Sequence, residues 1–292
     1  MRNTFVNEIL SAAKTDKRIV LITGDLGYGV VDNFAKELPD QYINFGINEQ
    51  TMMGAAAGLA SQGLKPFVYS IGNFPTFRCL EQIRNDVCYM DVDLTVVALG
   101  AGFAYGTAGY SHHLVEDISA VSPLPNIHVY SPADVLETEL VAQEVITKSG
   151  PKYVRLGKGG EGQLTTHMVH TQKGFSISYG DSETLILCTG NILSEALKLR
   201  EEKLEENPTI ASCYDFSQLR DFLKENQFKR IITVEEHVLR GGFGSLVREY
   251  SSLSGTVIVS IAIDGINSNV SGSQAHLREK YGLTEKEIKA LL

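Results

Sequence analysis

The sequence predicts an α/β protein made of two three-layer α/β/α units, each around a mainly parallel sheet. Three observations predict it. Short apolar runs such as Arg18-Ile-Val-Leu-Ile-Thr23 recur along the chain and end in glycine or polar turns, as buried parallel strands do. Stretches of helical periodicity lie between them, so strand and helix alternate. A polar, Gly-rich stretch, Gly157-Lys-Gly-Gly-Glu-Gly162, then interrupts the pattern near the middle, which marks a break between units. With 292 residues there is room for two domains of ordinary size.

The first unit, residues 1–160, opens with a helix over 5–14, the strand 18–23 and the turn Gly24-Asp25-Leu26-Gly27. Strands follow at 42–45, 66–70, 94–99, 127–130 and 152–156, with helices at 50–62, 74–88, 115–121 and 133–148. Residues 161–180 read as a linker holding a short hairpin. The second unit, 181–292, starts with a strand at 183–190 and a helix at 192–205. A strand near 209–213, a helix at 216–226, a strand at 230–234 and a helix at 244–250 complete it.

A composition of 43% hydrophobic and 21% charged residues is that of an ordinary globular protein. The formal charge of -9, with no basic stripe, excludes a nucleic-acid surface. No apolar run is long enough to span a bilayer, and the first residues lack the core of a secretory signal. The four cysteines, Cys79, Cys88, Cys188 and Cys213, lie in apolar settings without metal-type spacing. They read as reduced core residues of a cytoplasmic protein.

Residues 43–60 place one carboxylate, Glu49, where a strand gives way to a helix of small residues. Taken alone, this is a first-turn acid behind an Asn48 N-cap, suited to the helix dipole. It also resembles the G-I-x-E-x segment of the pyrimidine-binding domain of thiamine diphosphate enzymes of the transketolase group. There the glutamate shares a proton with N1′ of the aminopyrimidine and so activates the coenzyme. Other segments match the same group in the same order. Ile71-Gly-Asn-Phe74-Pro-Thr-Phe77-Arg78 resembles the aromatic segment that stacks on the aminopyrimidine, which implies Phe74 for the stack with Phe77 beside it. On spacing alone the two rings are core aromatics three apart on a helix. Gly106-Thr-Ala-Gly109-Tyr-Ser111-His112-His113 resembles the G-x-T-H-Q loop of transketolases and deoxyxylulose phosphate synthases. The resemblance sets His112 against the substrate's oxygens, with His113 at the usual glutamine. Adjacent histidines on one loop do not share a metal ion readily, so no metal is assigned to them.

Pro151-Lys-Tyr-Val-Arg155 is similar to the last strand of that domain, whose arginine can grip a substrate phosphate. Pairing of Arg155 with an acid at the strand end stands beside that reading. Val234-Glu-Glu-His237-Val-Leu-Arg-Gly241-Gly-Phe243-Gly-Ser245 resembles the E-E-H-x-x-x-G-G-x-G-S stretch of the group's C-terminal domain, and here a structural role is favoured over anion binding.

The resemblance spans nearly the whole chain and implies the cofactors thiamine diphosphate and Mg2+. It also shows a gap. The G-D-G motif with a downstream asparagine, which holds the diphosphate through magnesium, is missing: Gly24-Asp25-Leu26 does not continue the pattern, and Gly180-Asp181-Ser182 opens a strand in the other unit. Asp25 and Leu26 are still counted with the cofactor-binding residues. A separate N-terminal transketolase-like subunit is therefore expected to carry the diphosphate-binding domain and hold the metal. A heterotetramer with a homodimer contact at its centre is the expected assembly. Ala108 stands where these families carry an aspartate that meets a sugar hydroxyl, while Tyr105, Tyr110, Glu116 and Asp117 offer other contacts. The implied activity is transfer of a two-carbon ketol unit between sugar or sugar phosphate substrates. A 2-oxoacid dehydrogenase β subunit, a decarboxylating synthase and a non-catalytic α/β partner are the alternatives.

Overall fold

The computed structural model describes residues 1–171, 173–202, 204–251 and 255–292. The first unit runs α1 (Arg2–Ala13), β1 (Ile19–Thr23), α2 (Asp32–Glu37), β2 (Tyr42–Asn44), α3 (Glu49–Ser61), β3 (Lys65–Ile71), α4 (Asn73–Thr76) and α5 (Leu80–Gln82). A π-helical segment over Ile83–Tyr89 follows, then β4 (Thr95–Leu99), α6 (Asp117–Val121), β5 (His128–Tyr130), α7 (Val135–Thr147) and β6 (Lys152–Leu156). The strands form one sheet in the order β2-β1-β3-β4-β6-β5, every pair parallel.

Alternation of side chains across each strand produces the three layers. Ile19, Leu21, Phe67 and Val97 share a core with Phe5 and Ile9 of α1 and Val141 and Val145 of α7. Val20, Ile22, Val68 and Val96 share the other with Met52, Met53 and Ala56 of α3. One expected element breaks up: the helix at 74–88 is two short helices and a π-helical turn. Pro75 lacks an N–H and fits only a first turn, which belongs to α4. The chain then bends at Cys79, at φ −111° and ψ 16°, leaving Phe77 and Arg78 at the surface while Cys79 is buried.

The second unit contains β7 (Val169–Thr171), β8 (Phe175–Ser178), β9 (Thr184–Thr189), α8 (Leu193–Leu197), β10 (Thr209–Cys213), α9 (Leu219–Glu225), β11 (Arg230–Val238), α10 (Phe243–Ser251), β12 (Val257–Ile263), α11 (Gln274–Lys280) and α12 (Glu285–Lys289). Its sheet is ordered β12-β11-β9-β10-β8-β7. The first four strands are parallel, and β8 and β7 add on antiparallel. The residues expected as linker thus supply two strands of this sheet, so the second unit begins before 181; Gln172 lies outside the described residues. The helix expected over 192–205 is α8 plus a 3-10 turn at Lys198–Glu201, and Lys203 lies outside the described residues. Helices α2, α11 and α12 and strand β12 are not among the elements expected from the sequence.

Strand β11 ties the two units together through Glu236 and His237, both buried as their neighbour Glu235 is. Glu236 accepts a hydrogen bond from the Phe103 amide at 2.7 Å and pairs with Arg278 at 2.6 Å. His237 accepts from the Ile118 amide through Nε2 at 3.1 Å and donates from Nδ1 to the Val238 carbonyl at 2.8 Å. Burial pushes its imidazole down to about 4. Glu235 turns the other way and accepts from the amides of Phe243 and Gly244 at 2.6 and 2.8 Å, where α10 begins. The chain's own carboxylate fills the place an anion would take, as the structural reading of the Gly-rich stretch requires.

Candidate functional site

The residues singled out in the first unit, Arg155 apart, gather at the carboxyl ends of β1 to β4, the edge at which open α/β sheets bind ligands. Asp25 and Leu26 follow β1, Glu49 follows β2, Phe74 follows β3, and the loop bearing His112 follows β4. The first two loops run side by side, for a Cβ on Gly24 would lie 3.1 Å from the Gly46 carbonyl oxygen. Asp25 is exposed and accepts from the Tyr28 hydroxyl, while Leu26 packs against the core shared with α1.

Glu49 is the first residue of α3 and is 6% exposed. Gly46, in the left-handed region at φ 64°, lets the chain turn from β2 toward the helix, and Asn44 holds the turn by accepting from the Gly46 amide at 2.8 Å. A carboxylate this buried needs a partner, and it has one in Arg78, whose Nη1 lies 2.6 Å away. The same guanidinium sits over the Phe74 ring, 5.0 Å from its centroid. The Phe74 and His112 rings meet edge to face, with centroids 5.5 Å apart. Glu49, Phe74 and His112 are therefore linked by direct contacts, with Arg78 between the first two.

The loop between β4 and α6 is built from two short 3-10 turns, Gly106–Ala108 and Tyr110–His112. Asn73 holds it from the β3 side by donating to the Ser111 carbonyl at 2.7 Å, and Ser111 Oγ lies 3.0 Å from His112 Nδ1. The second unit holds it from behind: a Cβ on Gly106 would lie 2.6 Å from both the Gly272 carbonyl oxygen and Leu277 Cδ1. His113 is turned into this support and is 1% exposed, with Nε2 donating to the Gly106 carbonyl at 3.1 Å. Among the described residues its buried Nδ1 has no hydrogen-bond partner. A depression of about 260 Å³ opens between Asn73, Phe77, Tyr110, Ser111, His113 and Glu116. The Tyr110 hydroxyl donates to Glu116 at 3.0 Å, and burial holds the Glu116 carboxyl above its ordinary range against that bond. Ala108 is exposed in the first turn.

Arg155 does not join this group. It is 2% exposed; Nε donates to both oxygens of Asp117 at 3.1 and 2.9 Å, and Nη2 donates to the carbonyls of Leu114 and Glu236 at 2.6 and 3.1 Å. The alternative of a strand arginine paired with an acid fits, except that the acid is fully buried. Arg78 and Asn73 are site residues that were not singled out from the sequence. Arg78 follows Phe74 by four positions, a spacing that can bring a cation back over a ring, but its pairing with Glu49 spans 29 residues.

Residues 1–160 match the family described as Transketolase, pyrimidine binding domain, and residues 176–288 match Transketolase, C-terminal domain. The chain belongs to the transketolase family. A subunit of the apulose-4-phosphate transketolase of Phocaeicola vulgatus is 32% identical to it over 302 residues, covering 98% of this chain and 94% of that protein. The 6-deoxy-6-sulfo-D-fructose transketolase subunit SqwH of a Clostridium species is 28% identical, with 99% of this chain and 92% of that protein covered. A 1-deoxy-D-xylulose-5-phosphate synthase of Clostridium perfringens is 32% identical over 85% of this chain, but the match spans 41% of that protein. Among solved structures, a split gene transketolase described as an inactive β4 tetramer superposes with a TM-score of 0.86 at 28% identity, over 99% of this chain and 95% of that one. This transketolase-type transferase carries the pyrimidine-binding and C-terminal domains, in a family that depends on thiamine diphosphate, and it spans nearly the whole length of the two transketolase subunits it matches. Among the described residues no helix is long and apolar enough to cross a membrane, and no group of three or more His, Cys, Asp or Glu gathers as a metal site.

Proposed function

We propose that this chain is the C-terminal subunit of a split, cytoplasmic transketolase of carbohydrate metabolism. It transfers a two-carbon ketol unit between sugar or sugar phosphate substrates once an N-terminal subunit supplies the diphosphate-binding domain and its Mg2+. Two chains of each kind form the working heterotetramer. The observation that carries the proposal is the convergence of Glu49 and Phe74 on one flat guanidinium. A buried carboxylate beside an aromatic face, already holding a planar nitrogen donor, fits an aminopyrimidine.

Bound thiamine diphosphate supplies a carbon nucleophile able to break and remake the bond beside a ketol. Glu49 would hold the aminopyrimidine by sharing a proton with its ring nitrogen, which is acid–base work at one remove from the reacting carbon. Phe74 would give the ring a flat apolar face, with Phe77 beside it at the rim, and Asp25 and Leu26 would border the cofactor from the loop after β1. His112, oriented by Ser111 and Phe74, would hold or pass a proton at a substrate hydroxyl or carbonyl oxygen. His113 would brace the loop beneath the substrate through its bond to the Gly106 carbonyl.

Reconstitution tests this. The chain is mixed with a subunit bearing G-D-G and a downstream asparagine, then assayed with thiamine diphosphate and Mg2+. Ketol transfer from a ketose phosphate or hydroxypyruvate to an aldose supports the proposal. Carbon dioxide release from pyruvate would instead favour the synthase-like reading suggested by the Clostridium perfringens relative. Failure of the mixture to bind thiamine diphosphate would overturn both.

A further inference from the structure

The Arg78 guanidinium makes two contacts that fix its position. Nη1 lies 2.6 Å from a Glu49 carboxylate oxygen, and Cζ lies 5.0 Å from the centroid of the Phe74 ring. A guanidinium is flat, delocalised and rich in N–H donors. It therefore offers Glu49 a nitrogen donor and Phe74 a π-face, the same two contacts that an aminopyrimidine held by these side chains would make.

We infer that Arg78 is a stand-in for the cofactor's aminopyrimidine: it occupies the place between Glu49 and Phe74 in the chain alone and must swing out before the ring can enter. This rests on the function proposed above. Burial makes such a partner necessary, because a Glu49 carboxylate only 7% exposed would otherwise lose hydration without compensation. Arg78 itself is 47% exposed and sits at the bend before Cys79, so its long stem has solvent to move into. One arrangement thus serves two states. Without cofactor the carboxylate keeps its orientation and its counter-charge; with cofactor the same carboxylate and the same ring face are free. Arg78 is in this sense a positioning residue, and the exchange lowers the apparent affinity for thiamine diphosphate by the strength of the contacts broken.

The test reads binding and needs no turnover. Thiamine diphosphate with Mg2+ is titrated calorimetrically into the assembled two-subunit enzyme carrying wild-type Arg78, Arg78→Met or Arg78→Lys. Methionine keeps most of the stem but removes the charge and the flat head, so its Kd should fall about fivefold, the scale of an ion pair half open to solvent. Lysine keeps a charge without the flat face and should lie between the two. In a Glu49→Gln background the Arg78→Met change should shift Kd less than about twofold, because the pair is already gone. Melting of each free chain checks folding. Unchanged or weaker binding by folded Arg78→Met would overturn the inference while leaving the proposed function intact. Absence of binding by the wild-type enzyme would overturn the function itself.

Discussion

Replacing Arg155 by methionine separates a structural arginine from a substrate-binding one. The side chain that bears the consequence is Asp117, fully buried, which accepts from Arg155 Nε at 2.9 Å and from the Tyr153 hydroxyl at 3.0 Å. The substitution leaves that carboxylate without its cation and also strips a donor from the carbonyls of Leu114 and Glu236. Breaking one side of a buried ion pair costs about 3–5 kcal/mol, which for a chain of this size lowers the melting temperature by roughly 10 °C. Adding Asp117→Asn removes the unpaired charge and should recover part of the loss. The assay is thermal unfolding of wild type and the two variants, followed by KM for a phosphorylated and an unphosphorylated substrate in the reconstituted enzyme. A melting temperature matching wild type, with KM raised for the phosphorylated substrate alone, would refute the structural assignment.

Two further outcomes follow from the contacts between the units. His237 is held neutral in the folded chain, with its pKa down at about 4 against 6.5 when unfolded; the unfolded chain takes up the proton first, so stability is complete above pH 6.5 and falls as pH drops toward 4, by at most about 1.4 kcal/mol per unit. His237→Gln should flatten this acid-side loss in denaturant titrations at about pH 7.5 and about pH 5, on either side of the unfolded value, and an unchanged pH dependence would count against it. Gly106→Ala drives a Cβ into Gly272 and Leu277, so about 1–3 kcal/mol of stability and much of the ketol transfer should be lost together; a variant that melts and turns over like wild type would show that the loop is not braced there.

The first sheet was legible because each of its strands is a short apolar run stopped by a turn, and α3 because its small residues begin at an acid behind Asn48. The bend at Cys79 was not, since residues 74–88 carry an unbroken helical pattern and the break serves contacts made elsewhere. β12 was legible in principle, for Val257–Ile263 is a β-branched run of strand length. The hairpin at 169–178 was foreseen as a hairpin but not as part of a sheet, because its partner β10 follows only after another strand and helix have intervened. Of the site, Glu49, Phe74 and His112 were found through the resemblance of their segments, in order, to the transketolase group, and the structure links them by contact. Arg155 and Arg78 could not be told apart in sequence, for each takes its acid from a distant segment: Asp117 buries the one, and Glu49 holds the other at the mouth of the site.

The most direct measurement is turnover of the reconstituted enzyme carrying Glu49→Gln, with cofactor binding and assembly measured on the same sample. An amide keeps the shape of the side chain but cannot share a proton with the cofactor's ring nitrogen, so ketol transfer should fall roughly 100-fold or more while thiamine diphosphate still binds and the subunits still associate. Wild-type turnover in that variant would contradict the central role given to this one carboxylate.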